Sequence, residues 1–238
     1  IKAYVQPKVD MHNGHIIGGE ALVRWQNDKE MIYPDQFIPV LEKNGYVIDV
    51  DNFIWNKVCA CIKMMEDKGI EPVPISVNVS RMHVYQEKFT ENLKNMAGEY
   101  GIDPKYIPLE ITESAFTKEE GSLFKKVQSL QGYGFKFSMD DFGSGYSSLG
   151  MLKSERVDEV KIDKTFVDDI ATDKGKVLLG NVIRMINELG IDMIAEGVET
   201  KEQADFLKEN GCMYAQGYYY YKPMPIEEFA KLLENSAR

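Results

Sequence analysis

The sequence predicts an α/β protein whose strands close into a TIM-like (β/α)8 barrel with one antiparallel strand near the N-terminus. Three observations predict it. First, a helix, a glycine, a short apolar strand and an acidic or amide residue recur in that order at five junctions. These are Met65–Asn78, Ala97–Glu110, Gln131–Asp141, Asn187–Glu196 and Lys208–Gln216. Second, about eight strand-like runs, most of them alternating with helical runs, point to a parallel sheet. Third, only the turn-rich MHNG separates the first two strands, which reads as a hairpin. An open doubly wound sheet is the alternative, but eight strands in 238 residues favour closure.

The elements follow in order. Ala3–Gln6 and Ile16–Arg24 make the hairpin. A helix over Val50–Lys68 carries Phe53, Ile54, Val58, Ile62 and Met65 at helical spacing and leads to a strand at Ile75–Asn78. Phe89, Leu93 and Met96 mark a helix over Lys88–Tyr100, followed by a strand at Ile107–Ile111. Strands at Phe135–Met139 and Glu159–Ile162 precede a helix over Gly175–Leu189, built on Val177, Leu178, Val182, Ile186 and Leu189. After the strand Met193–Ala195, Thr200 and Gln203 form a capping box for a helix that Gly211 closes. A strand at Tyr214–Tyr219 and, beyond Pro223 and Pro225, a helix over Ile226–Asn235 complete the chain. No linker-like stretch divides it, so residues 1–238 are expected to form a single domain.

Composition excludes several classes. A hydrophobic content of 44% supports a sizeable core, and no apolar run reaches the ~18 residues of a membrane span. A formal charge of −10 argues against a long nucleic acid as partner. It leaves room for a small phosphorylated ligand with local cations. Cys59, Cys61 and Cys212 make no metal-ligand pattern, and a reducing, cytoplasmic setting is expected, without membrane contact by this domain. His12, His15 and His83 read as surface or turn residues. A first residue of Ile1 rather than Met suggests a domain cut from a longer protein.

The chemistry lies at the strand exits. Asp140 and Asp141 end an apolar run and meet a Gly/Ser loop, MDDFGSGYSSL at Met139–Leu149. A single Asp there would ordinarily cap the next helix. Two adjacent buried carboxylates lose water and repel each other, and a divalent cation relieves both costs. Glu20, Asn78, Glu110, Lys161, Glu196 and Gln216 end other strands, and a barrel delivers parallel strand ends to one mouth. Taken singly, Glu20, Lys161 and Asp163 could be solvent-facing strand residues, Asn78 a turn former, and Glu196 or Glu199 a helix-start residue. Jointly, five carboxylates and an amide form a set for Mg²⁺ or Mn²⁺ rather than zinc. Their number suits two ions bridged by a shared Asp and acting on a phosphodiester, with Lys161 orienting water or stabilising charge. DFGSG echoes kinase signatures, but no other kinase element accompanies it.

The ordered motifs EALVRW (Glu20–Trp25), NVS (Asn78–Ser80), LEITES (Leu109–Ser114), DDFGSGYSSL (Asp140–Leu149), VKIDK (Val160–Lys164), AEGVET (Ala195–Thr200) and AQGYYYYKPMP (Ala215–Pro225) resemble the EAL domain. That family comprises bacterial cyclic di-GMP phosphodiesterases. The resemblance runs from about Val5 to Phe229. It implies hydrolysis of cyclic di-GMP to linear pGpG with two Mg²⁺ or Mn²⁺ ions. By the same resemblance Glu20, Asn78, Glu110 and Asp140 would hold the first ion, and Asp140, Asp141 and Glu196 the second. Glu196 would also serve as base and Lys161 would position the attacking water. Leu22, Arg24, Gln216 and Pro223 would contact substrate, and Glu113 would brace the loop after Asp141. Ser144 stands where the family commonly has Thr, which keeps the hydroxyl.

The resemblance further implies a homodimer formed through the element after DDFGSGYSSL. It also implies a sensor or diguanylate cyclase-like domain ahead of Ile1, in a parent protein either soluble or membrane-tethered. Because every motif acid is present, hydrolysis is expected. A silent cyclic di-GMP receptor is the alternative. A metal-dependent barrel isomerase or lyase fits the residues without the motifs.

Overall fold

In a computed structural model of the chain, the structure describes residues 1–27, 30–112, 115, 120–143, 152 and 157–236. Strands β1 (Lys2–Asp10) and β2 (Ile16–Gln26) form the hairpin, continued by the two-residue β3 (Met31–Ile32). Helices α1 (Pro34–Asn44) and α2 (Val47–Asp67) lead to β4 (Ile75–Asn78). The short α3 (Arg81–Tyr85) and α4 (Phe89–Tyr100) precede β5 (Leu109–Thr112). Helix α5 (Glu120–Gln131) leads to β6 (Phe137–Phe142), which is followed by β7 (Glu159–Ile162). Helices α6 (Lys164–Asp168) and α7 (Asp173–Glu188) precede β8 (Asp192–Ala195), and α8 (Lys201–Glu209) precedes β9 (Tyr214–Ala215). The chain ends with β10 (Met224–Pro225) and α9 (Ile226–Ser236).

The sheet runs β1-β9-β8-β7-β6-β5-β4-β2, and the β1–β2 pairing closes it into an eight-strand barrel. Pairing from β2 through β4 to β9 is parallel, whereas β1 is antiparallel to both β2 and β9. The expected barrel with one reversed strand is therefore the observed one. The parallel strands deliver their C-terminal ends to one mouth, and β1 brings its first residues there, since Lys2 pairs with Arg24 and Gln6 with Glu20.

The core lies between barrel and helices. Outward-facing Val5, Ile75, Val77, Leu109, Ile111, Val160 and Ile162 are at most 1% exposed. Each buried aliphatic side chain of this kind contributes about 1.5–3 kcal/mol. Helix α2 buries Val47, Ile54, Val58, Ile62 and Met65 at helical spacing, and Phe229 of α9 lies over Gly19, where a Cβ would fall 2.4 Å from Val5 Cγ1. The junction glycines Gly69, Gly101, Gly134, Gly190 and Gly211 all have positive φ, the left-handed conformation that ends a helix. The capping box at α8 is present, with Thr200 accepting from Gln203 N at 3.2 Å and Gln203 Oε1 accepting from Thr200 N at 3.0 Å.

Several elements depart from the sequence reading: β1 runs on to Asp10 rather than stopping at Gln6, β6 starts at Phe137 rather than Phe135, and α3, α5 and α6 are additional helices. Helix α1 was not expected, because Pro39 interrupts its pattern; Pro34 fits its first turn, where the missing N–H costs nothing. The strand at Tyr214 stops at Ala215 rather than running to Tyr219. At Gly217 a Cβ would meet the Val198 carbonyl oxygen at 2.1 Å, so the chain packs against the segment after β8 instead of pairing. Strand β6 extends through both aspartates to Phe142. His83 also corrects an expectation: it is 2% exposed and packs on the Trp55 ring at 4.4 Å.

Candidate active site at the barrel mouth

Strand alternation sets which side chains enter the barrel. Glu20 on β2, Glu110 on β5, Asp140 on β6 and Lys161 on β7 all point inward, as their mutual contacts require. Glu196 follows β8 directly, held by its N–H to the Ile162 carbonyl at 3.0 Å. Gln216 follows β9, its N–H bonded to the Ala195 carbonyl at 2.8 Å. Asn78 ends β4 and pairs in register with Glu110.

The centre of the arrangement is the Lys161 ammonium, which is 1% exposed. Its Nζ lies 2.7 Å from Glu196 Oε1, 2.8 Å from Glu110 Oε2, 3.0 Å from Asp140 Oδ1 and 3.4 Å from Glu20 Oε2. Burial alone would lower the lysine's pKa, but the four carboxylates outweigh it and hold it well above its usual value. The carboxylates respond unequally. Burial pushes Glu196 up to about 8, with Asp140 and Glu20 adding to the rise against Lys161. Glu20 is likewise raised, chiefly by burial. Burial also opposes the charge on Glu110, but Lys161 and Lys8 prevail and hold it down to about 2.

Glu20 is fixed from three sides. Asn78 Nδ2 donates to its Oε1 at 3.2 Å, Gln216 Nε2 donates to its Oε2 at 2.6 Å, and Lys161 approaches the same oxygen. Asp141 reaches the mouth by a different device. Among the described residues it is the one non-glycine with positive φ, at 57°, and the β6–β7 register shifts between Met139 and Phe142. Such an irregularity re-aims a side chain that alternation would otherwise turn away from Asp140. Burial, then the neighbouring Asp140, raises the Asp141 carboxyl.

The remaining expected residues flank this centre. Leu22, half-buried, lines a cavity of about 840 Å³ with Asn78, Asp51, Ser80, Thr112 and Asp141. Arg24 donates to the Val23 carbonyl at 2.9 Å and its guanidinium lies over the Tyr33 ring at 5.6 Å. Pro223, half-buried, precedes β10, which pairs with Tyr4 and Val5. Asp163 caps α6 by accepting from Thr165 N. Glu113 and residues 144–151 lie outside the described residues.

Three supporting residues were not read from the sequence. Gln6 accepts from Gln216 Nε2 at 3.1 Å and donates to the Tyr221 carbonyl at 3.0 Å. Lys8 donates to Glu110 Oε1 at 3.1 Å and Glu159 Oε1 at 3.3 Å. Trp55 Nε1 holds the Asn78 carbonyl at 3.0 Å. The alternation in YVQPKVD was the available signal for Gln6 and Lys8, but such a pattern ordinarily marks a solvent-facing strand.

Among the described residues no group of three or more Cys, His, Asp or Glu side chains is already gathered as metal ligands are. The carboxylates close instead on an internal cation. Asp140 Oδ1 and Gln216 Oε1 are buried without a hydrogen-bond partner, although Asp140 pairs ionically with Lys161. An all-oxygen set with this demand for positive charge fits a hard divalent cation.

Comparison with known proteins places the chain. The family model described as "EAL domain" matches residues 1–223. The chain is 34% identical to the oxygen sensor protein DosP of Escherichia coli (strain K12), over 96% of its own length and 29% of DosP. It is 33% identical to the bifunctional diguanylate cyclase/cyclic di-GMP phosphodiesterase MucR of Pseudomonas aeruginosa, over 94% of this chain and 33% of MucR. The chain thus spans about a third of these curated relatives. A solved structure described as the PaMucR phosphodiesterase in complex with c-di-GMP superposes with a TM-score of 0.90 at 32% identity, covering 95% of this chain and 93% of that one. From the family match, these relatives and the shared barrel, the chain belongs to the EAL domain family.

Proposed function

We propose that this chain hydrolyses one phosphodiester bond of cyclic di-GMP to give linear pGpG, using two Mg²⁺ or Mn²⁺ ions. The observation that carries the proposal is the cage of four carboxylates, delivered by the C-terminal ends of four strands, around the buried Lys161 ammonium. Relatives that share this domain are named for cyclic di-GMP hydrolysis, and the PaMucR structure is described as a c-di-GMP complex. Glu20, Asn78, Glu110 and Asp140 would hold one ion, and Asp140, Asp141 and Glu196 the other. When bound, such ions make water nucleophilic near neutral pH and offset charge on the phosphoryl oxygens.

The chain's own groups do the rest. Lys161 would donate hydrogen bonds that orient the attacking water, and its positive charge would oppose charge gathering on phosphorus-bound oxygen. Glu196, at the mouth beside Lys161, would accept the proton of the attacking water. Water oxygen bonds to phosphorus as the 3′ oxygen leaves and takes a proton, so the product keeps a 5′-phosphate. Arg24 offers a planar fork to the second phosphate, and Leu22, Gln216 and Pro223 line the nucleotide. We also propose a homodimer through the element after DDFGSGYSSL; light scattering across a concentration series, set against specific activity, tests it. Regulatory domains beyond this chain are proposed from the longer relatives. No helix among the described residues is long and apolar enough to cross a membrane.

Incubation with cyclic di-GMP and Mn²⁺ tests the reaction. Linear pGpG that forms with metal and disappears in Glu20→Ala supports it. Tight binding of cyclic di-GMP without product over hours would make the chain a receptor instead.

A further inference from the structure

The reversed strand places a second buried ammonium beneath the site. Lys8 is 4% exposed and lies one inward step below Gln6, so it reaches Glu110 from the floor of the barrel. The two oxygens of Glu110 are thereby divided: Oε1 accepts from Lys8 at 3.1 Å and Oε2 accepts from Lys161 at 2.8 Å. Lys8 is itself held, because Glu159 Oε1 accepts from it at 3.3 Å and from Ser138 Oγ at 2.9 Å. An alternating column of charge therefore runs down the barrel, from Lys161 through Glu110 and Lys8 to Glu159.

We propose that Lys8 is a positioning residue for divalent-ion binding, fixing the Glu110 carboxylate so that Oε2 is the oxygen presented to the mouth. This rests on Glu110 being a metal ligand, as in the proposed function. Outer partners that lock a ligand's orientation raise its affinity for the ion. Plain electrostatics has the opposite sign, since an ammonium near a cation site repels the cation. Lys8 escapes much of that penalty because Glu159 pairs with it. Removing Lys8 would therefore weaken ion binding if positioning governs, and tighten it if charge repulsion governs.

The experiment is Mn²⁺ titration of nucleotide-free protein, read by electron paramagnetic resonance, for the unsubstituted chain and Lys8→Met. Methionine keeps an unbranched side chain and removes both bonds. The expected result is Mn²⁺ binding weaker by about tenfold or more in folded Lys8→Met. Turnover should fall while KM for cyclic di-GMP stays within about twofold, a split that general loosening of the fold would not give. Equal or tighter Mn²⁺ binding by the folded variant overturns the proposal. If Lys8→Met does not fold, Glu159→Gln decides: it leaves Lys8 in place but weakens its anchor, and should loosen Mn²⁺ in the same direction by less. Unchanged binding there overturns the proposal equally. Failure of the unsubstituted chain to bind Mn²⁺ would instead remove the two-ion reading itself, so the two failures are distinct.

Discussion

The inner and outer faces of the barrel strands are built from the same short segments and do opposite work. Outward residues such as Val77, Leu109, Ile111 and Val160 are apolar and closed from water. Inward residues on the same strands are Gln6, Lys8, Glu20, Ser76, Glu110, Ser138, Asp140 and Lys161, all buried and all polar. Barrel interiors of this architecture are ordinarily packed with branched apolar side chains. Here the outer layer supplies cohesion, and the interior holds charges that would rather be in water. What keeps the interior folded is mutual pairing, with Lys161 and Lys8 threaded between the acids.

Substitutions on the two faces should break different properties. Lys161→Met removes the ammonium common to four acids and should destabilise the metal-free protein by about 3–5 kcal/mol. Mn²⁺ should then raise the melting temperature of this variant more than that of the unsubstituted chain; equal shifts would mean the acids do not share a cation demand. On the outer face Leu109→Ala should cost about 2–5 kcal/mol by denaturant unfolding, while activity per folded molecule is retained. Glu20→Gln should do the reverse, lowering turnover by about 100-fold or more with no loss of stability. The sign follows from the raised Glu20 carboxyl: ionising it costs the folded state, so a neutral amide relieves rather than adds strain.

A smaller effect should appear with pH. Glu196 sits at about 8 in the fold against its ordinary 4.5, so between those values the folded chain holds a proton that the unfolded chain has lost. That group's contribution to metal-free stability therefore declines as pH rises from about 4.5 towards 8. Mn²⁺ affinity should rise over the same window, because binding needs the carboxylate. Paired calorimetric titrations at pH 6 and 8 would show it through proton release.

Much of this was legible in the sequence, for physical reasons. The junction glycines reveal the alternation because only left-handed residues end those helices cheaply. The strand-end acids reveal a site because nothing in an apolar core requires them. Other features were hidden. Nothing local distinguishes Lys8 in YVQPKVD from a solvent-facing residue, since its burial depends on β1 closing the barrel between β2 and β9. His83 looked like a turn residue because its partner, Trp55, lies on a different helix. The aim of Asp141 depends on a backbone irregularity against β7, which no side-chain pattern records.

The charged interior of this barrel is suited to take up divalent cations. The most direct measurement is the stoichiometry of Mn²⁺ bound per chain without nucleotide, followed by electron paramagnetic resonance at neutral pH. Saturation is expected at about two ions per chain, reduced in Asp140→Asn, whose side chain would serve both. A chain that remains folded and takes up no Mn²⁺, with Lys161 still pairing its four carboxylates, would contradict it.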